Sequence, residues 1–261
     1  MKRILRNFVF FPLAGLLALV PSVAPATAAA QSGSFVVSQH GHPVGTASYN
    51  FTASPHGYDS TSGVRIAMQG LNYALSKTER LSSANHLRHV LLSATVNNSA
   101  VNVTCAPDPA QILLNTSANG RSSTTRLDLH PAAVFLPDFD PGALETLLAL
   151  AVAHNNSGLW AILPKQSGAQ MGSIAPIQLA TLADEGGTQD GKLIVVHHMV
   201  ATIAGANTDL FSGPENQLLQ AELPQQGFAL VRKGFVLTPP AKPGAPPVAP
   251  PAAPSAAPPA E

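Results

Sequence analysis

Apolar and polar side chains alternate along most of this chain with a period of two, which is typical of β-strands that bury one face. Residues 46–53 show the pattern clearly: one face carries only Thr, Ser and Asn, and the other carries Ala47, Tyr49, Phe51 and Ala53. We therefore predict a strand there, with Tyr49 and Phe51 directed toward the interior.

Further short strands follow one another, separated by turns rich in Gly, Pro and Asn. Val90 and Leu92 share a face of the strand predicted at 86–96, and Asn119-Gly120 is the strongest hairpin signal in the chain. The other predicted strands are 33–39, 58–68, 71–81, 100–105, 110–117, 121–129, 159–163, 174–182, 192–203, 208–211, 217–223 and 228–236.

A helical period interrupts the strands once, over residues 141–154. Asp140 is placed to cap this helix, and Pro141 occupies the first helical position, where its missing N–H costs no hydrogen bond. One side of the helix is apolar at helical spacing, through Leu144, Leu147, Leu148 and Ala151. The fold prediction is therefore a mainly β domain, an antiparallel curved sheet or incomplete β-barrel with one covering α-helix.

The amino terminus has the pattern of a cleaved secretory signal. Lys2, Arg3 and Arg6 precede an apolar run over residues 8–20, and small residues follow as far as Ala30. This run is shorter than the roughly 20 helical residues that cross a bilayer core. We therefore expect cleavage after about Ala30, a periplasmic or secreted location, and a mature chain that is not an integral membrane protein.

Composition divides the remainder into one domain and a tail. Residues 239–261 are almost entirely Pro and Ala, which cannot build a core, so we predict a disordered tail after a single β-rich domain at 31–238. Of 14 Lys and Arg, three lie in the signal, which leaves 11 against 14 acidic residues. This slightly acidic balance argues against nucleic acid as a partner.

Few residues in the chain suggest chemistry. Cys105 is the single cysteine; it lies in a strand-like run, so we interpret it as a buried, inert thiol. His197 and His198 are adjacent and point to opposite faces of a strand, so they cannot share a metal. Arg232 and Lys233 are interpreted as surface cations on an edge strand.

Motifs for hydrolases, phosphate loops and zinc sites are absent from the sequence, so no catalytic residue, metal or cofactor is predicted. Asp138 and Asp140, beside Asp128, suggest paired carboxylates, but helix capping explains Asp140 without catalysis. Trp160 either lines a pocket or is a buried core aromatic.

Two stretches of the chain carry a family resemblance. Residues 33–51 form a strand, a polar turn with Gly41, and Gly45 before an alternating strand. Within residues 208–235, Leu218 and Leu219 precede a strand that carries Glu222. The two stretches resemble the opening and closing hairpins of a group of uncharacterised bacterial periplasmic domains. The resemblance implies a half-open antiparallel barrel with a helix across its mouth, similar to the periplasmic lipoprotein carriers that hold acyl chains, and supplies no catalytic residues.

The leading functional hypothesis is non-catalytic binding of a hydrophobic ligand, an acyl chain or lipid, inside the curved sheet. The residues expected to line that site are Tyr49, Phe51, Val90, Leu92, Leu144, Leu147, Leu148 and Trp160. The same residues would equally fill an ordinary core. Two alternatives stay open: an envelope scaffold with a solid barrel that binds a partner protein through residues 239–261, and a hydrolase with an unrecognised site.

Overall fold

The computed structural model describes residues 31–167 and 170–238, and the predicted signal and Pro/Ala tail lie outside them. Of the described residues, 69% form strands and 6% form helix, which confirms the mainly β fold with one helix. No helix in this part of the chain is long and apolar enough to cross a membrane.

Seventeen strands and one helix make up the described chain. The strands are β1 (Ser32–Gln39), β2 (His42–Ser54), β3 (Gly57–Met68), β4 (Leu71–Leu81), β5 (Leu87–Val96), β6 (Ser99–Asp108), β7 (Gln111–Ala118), β8 (Arg121–Asp128), β9 (Ala133–Phe135), β10 (Leu159–Ser167), β11 (Gln170–Thr181), β12 (Glu185–Gln189), β13 (Lys192–Ile203), β14 (Ala206–Ser212), β15 (Leu218–Leu223), β16 (Phe228–Arg232) and β17 (Phe235–Thr238). The helix, α1, spans Pro141–Ala153.

The strands form one long sheet in which two runs meet at β1. On one side, β1 to β8 pair consecutively and antiparallel, as the short turns between them require. On the other side, the order is β16, β15, β14, β13, β11, β10 and β9, and only the β9–β10 pair of this run is parallel. The first and last parts of the domain therefore lie side by side in the middle of the sheet.

The two ends of the sheet approach each other near β8 and β11. The Thr125 hydroxyl donates to the Met171 carbonyl at 2.8 Å. Gly172 packs so closely on Leu114 that a Cβ at this position would overlap the leucine side chain. Over the described residues the sheet is strongly curved but stays open rather than closing into a barrel.

The helix covers the concave face of the sheet and contacts β2, β3, β9 and β15. Asp140 caps it as predicted, because its Oδ1 accepts a hydrogen bond from the Gly142 N–H at 2.9 Å. Every residue from Pro141 to Leu148 is buried, so the first two turns are enclosed on all sides. The sequence predicted that only one apolar side of the helix would be buried, so more of the helix is buried than expected. Toward the end of the helix, Val152 is 58% exposed.

The short strands β9 and β12 were not predicted. β9 is an apolar triplet without alternation, and two glycines in β12 give it low strand propensity. The strand predicted at 228–236 is two strands, because Lys233 and Gly234 form a turn and Gly234 has φ of +81°. β12 then pairs with both β13 and β17 to form a three-stranded flap.

The flap covers a second, smaller core on the outer face of the sheet. This core consists of four buried side chains, Val196, Phe211, Leu219 and Phe235. The flap also leaves apolar side chains exposed: Leu193, Val195 and Val236. The main core is separate and runs between the concave face of the sheet and α1.

Cys105 lies on β6 in the main core, fully buried and free, as the sequence predicted. Burial, with a smaller contribution from the charge of Glu79, raises the pKa of its thiol to about 12.

We expect no reaction of Cys105 with a thiol reagent near neutral pH in the native protein, and stoichiometric reaction in denaturant, because the thiolate neither forms nor reaches solvent in the fold. Absorbance of the released chromophore measures both. The variant Ser99→Cys, exposed on the same strand, should add one rapidly labelled thiol. Fast labelling of the native wild-type protein would contradict the burial of this strand face.

Candidate functional site

A network of three charged side chains lies inside the protein between β4 and the start of α1. The Lys77 Nζ is 2.9 Å from the Glu79 Oε2 and 2.7 Å from the Asp140 Oδ2. All three side chains are fully buried. Asp140 therefore has two roles, since one oxygen caps the helix and the other pairs with the ammonium.

The alternation of β4 explains how these charges reach the interior. Lys77 and Glu79 share the face of Leu75 and Leu81, all of them buried, while the intervening residues such as Arg80 point outward. Neither Lys77 nor Glu79 was predicted from the sequence as a site residue. The signal was available, because two opposite charges two residues apart on the apolar face of a strand must find partners inside the protein.

The protonation of the network follows from burial and pairing. Burial disfavours the ammonium of Lys77, but the carboxylates of Asp140 and Glu79 outweigh it and raise the pKa of Lys77 to about 12. Burial also raises the pKa of Glu79, although the charge of Lys77 opposes this. Two carboxyl groups thus share one ammonium, and burial favours the protonated form of Glu79.

Two serine hydroxyls lie beside the network, because Ser60 and Ser62 on β3 pair with Glu79 and Lys77 across the strand ladder. Neither buried Oγ has a hydrogen-bond partner among the described residues. A Ser–Lys pair can act as nucleophile and base only if the lysine is neutral. The raised pKa of Lys77 and the complete enclosure of the cluster favour a structural role, in which the network anchors the helix to the sheet.

A second polar chain connects α1 to the carboxyl-terminal strands. The Arg232 Nη1 donates to the Tyr49 hydroxyl at 3.2 Å and to the Leu218 carbonyl at 3.0 Å, and its Nη2 donates to the Ser32 carbonyl. Leu218 continues the chain to the helix, because its N–H donates to the Glu145 Oε2 at 2.8 Å.

Arg232 is therefore not a surface cation of an edge strand, as the sequence suggested. β16 lies between β1 and β15, and Arg232 is on the same face as the buried Phe228 and Leu230. The strand pairing that buries this face joins β16 to β1, almost 200 residues earlier in the chain, and no local pattern reveals it.

Burial perturbs the other two members of this chain. It raises the pKa of Tyr49, and the nearby charge of Glu145 adds to the effect. It also raises the pKa of Glu145, against the hydrogen bond from the Leu218 N–H, the neighbouring Tyr49 hydroxyl and the charge of Arg232.

An open cleft of about 390 Å³ lies beside α1, next to this polar chain. Its walls come from the β2–β3 hairpin, the loop after β4, the outer side of α1 and the turn before β15. The lining residues are Gln31, Phe51, Ala53, Tyr58, Asn85, Glu145, Thr146, Ala149, Val152, Glu215 and Asn216. A volume of this size is within the range of small-molecule sites.

The structure places most of the predicted ligand-lining residues in the main core rather than in the cleft. Those in the core are Tyr49, Val90, Leu92, Leu144, Leu147 and Leu148. Phe51 is half-buried and does line the cleft. Trp160 is half-buried and stacks on His130 with the ring centroids 3.7 Å apart.

The adjacent histidines have separate partners, as strand alternation predicts. His197 contacts Asp184 at 3.0 Å. His198 lies between Glu185 and Asp209, with its ring nitrogens 2.9 and 3.1 Å from their carboxylate oxygens, and stacks on Phe211. These contacts connect the start of β12 and the residue before it to β13, and β13 to β14. Among the described residues, no group of three His, Cys, Asp or Glu side chains is arranged to hold a metal ion.

Asp138 and Asp140, which the sequence suggested as paired carboxylates, also have separate partners. Asp138 is partly exposed and pairs with Lys165 at 2.5 Å, whereas Asp140 is buried in the network with Lys77. The capping role preferred for Asp140 is confirmed.

Comparison of the chain with protein-family models, with curated proteins and with solved structures produced no match.

We predict that Lys77→Met lowers the free energy of unfolding by about 3–5 kcal/mol, because it leaves two buried carboxyl groups without their cation. Urea unfolding followed by circular dichroism measures the change. The matched variant Lys77→Met/Glu79→Leu/Asp140→Asn should recover most of the loss, since it removes the charges together and asparagine still caps the helix. A loss below about 0.5 kcal/mol for Lys77→Met would contradict the burial of the network.

The raised pKa of Lys77 also predicts how stability depends on alkaline pH. Because the folded-state pKa of about 12 exceeds the ordinary value of 10.5, the stabilisation is complete below pH 10.5 and is lost as pH rises through about 12. The triple variant lacks this contribution of Lys77 to stability but keeps the contribution of the buried tyrosines. Its stability should therefore fall less steeply than that of the wild type over this interval, and equal slopes in urea titrations would contradict the assignment.

Proposed function

We propose that this chain is a non-catalytic extracytoplasmic protein that binds an apolar small molecule in the cleft beside α1. The observation that carries the proposal is the cleft itself, whose volume of about 390 Å³ is of the size that small ligands occupy. Its apolar surfaces are Phe51, Ala53, Ala149 and Val152. The signal pattern at the amino terminus supports a periplasmic or secreted location.

The packing of the helix supports this location for the ligand. α1 occupies the concave side of the sheet with its first two turns enclosed, and the core residues around it are tightly buried. Apolar surface that reaches solvent is found on the other side of the helix, at Val152. A ligand held there replaces water on apolar atoms without displacing the core.

Catalysis is not part of the proposal. Lys77 and Glu79, two charged groups whose pKa is raised, are sealed from solvent, and Glu145 is the one group of raised pKa among the described residues that line the cleft. A hydrolase needs such groups to converge in an accessible pocket.

We expect the protein, exported to a bacterial periplasm and purified without detergent, to carry a small-molecule adduct in native mass spectrometry. Ala149→Trp should abolish the adduct, because the indole fills the cleft from the helix side. Ala67→Trp is the matched control, since Ala67 is exposed near the far end of β3 from Tyr58, about 30 Å away along the strand.

Organic extraction of the same sample would identify the ligand class. A wild-type protein that stays free of adduct after incubation with envelope lipids would refute the proposal. An adduct retained equally by Ala149→Trp would place binding elsewhere and refute the assignment of the cleft.

A further inference from the structure

The charge of the cleft restricts what it can hold. Glu145 lies at the floor of the cleft, 6% exposed, and Glu215 lies on the exposed rim. Among the described residues that line the cleft, none is Lys, Arg or His. An anionic head group would therefore face Glu215 and the carboxyl group of Glu145, whose pKa burial raises, with no cation among these lining side chains.

The nearest cation is already engaged. Arg232 makes hydrogen bonds to Tyr49, to the Leu218 carbonyl and to the Ser32 carbonyl, and it is not part of the cleft lining. Tyr49 lies between it and Glu145. The charge of Arg232 opposes the effect of burial on the pKa of Glu145 and so favours its carboxylate form.

The aromatic side chains of the cleft also favour a cationic ligand over an anionic one. Phe51 and Tyr58, from β2 and β3, border the cleft together with the side of α1 that carries Ala149 and Val152. The face of an aromatic ring attracts a cation and tolerates an alkyl chain, whereas it offers nothing to an anion.

We propose that the occupant of the cleft is a cationic amphiphile, a molecule with an apolar body and an ammonium group that pairs with Glu145. The apolar body lies along Phe51, Ala149 and Val152, and Glu215 draws the cation toward the mouth. This inference rests on the proposed function and narrows its ligand to amine-bearing molecules, to the exclusion of fatty acids.

Three probes of equal chain length test the cationic ligand separately from the binding function itself: dodecylamine, dodecanol and dodecanoate. Their binding to the exported protein is measured by calorimetry near neutral pH, because the amine is protonated there. The probe concentrations stay below those at which the probes aggregate. We expect dodecylamine to bind at least about tenfold more tightly than dodecanol, as a charge-assisted hydrogen bond implies, and dodecanoate to bind more weakly than dodecanol.

Glu145→Gln should reduce the affinity for dodecylamine to that for dodecanol and leave the dodecanol affinity unchanged. Glutamine keeps an oxygen to accept the Leu218 N–H, and thermal unfolding checks that the variant is folded. Glu215→Gln lies on an exposed turn and carries no such risk to folding, and it should weaken only the amine, by less. Glu222→Gln, outside the cleft, is the matched control and should change nothing.

The outcomes distinguish a wrong ligand class from a wrong binding site. Equal binding of all three probes, or tighter binding of dodecanoate, would overturn the cationic ligand while the binding function stands. Tighter binding of dodecylamine that Glu145→Gln does not reduce would also overturn it. If none of the probes binds, or if Ala149→Trp leaves their binding intact, the cleft itself is wrongly assigned.

Discussion

The ammonium of Lys77 is the constraint on which the rest of the molecule depends. An ion enclosed by apolar side chains must be neutralised where it lies, and the groups that do so are Glu79 on its own strand and Asp140 at the start of α1. Because Asp140 also caps the helix, the pairing sets where α1 begins and how it meets β4. Packing of the enclosed turns against the sheet follows from that position.

The same arrangement decides where a ligand can bind. With the start of α1 held inside the sheet, the concave face is filled by side chains rather than left as a cavity. The cleft lies on the outer side of the helix, where residues of the β2–β3 hairpin line it. Glu145, one turn after the capped start of α1, lines this cleft.

Local patterns predicted much of the fold because alternation and capping act over a few residues. The strands of the amino-terminal meander, the hairpin at Asn119-Gly120 and the cap at Asp140 all follow from neighbouring side chains. The candidate site was much less predictable. Phe51 was identified from its strand, but Ala149 and Glu215 come together only through pairings between distant segments. Arg232 was interpreted wrongly for the same reason, since its neighbours on β1 are remote in sequence.

By itself, the sequence determined the mainly β character, the position of the helix and the buried cysteine, because period-two alternation, capping and hydrophobicity are local properties. The alternation of β4 also puts Lys77 and Glu79 on its buried face, a feature that was not predicted from the sequence. The tertiary structure alone decided that Asp140 pairs with Lys77, that the concave face is filled and that two carboxylates border an apolar cleft. These features depend on contacts between residues far apart in the chain, whose geometry is set only when the sheet curves around the helix.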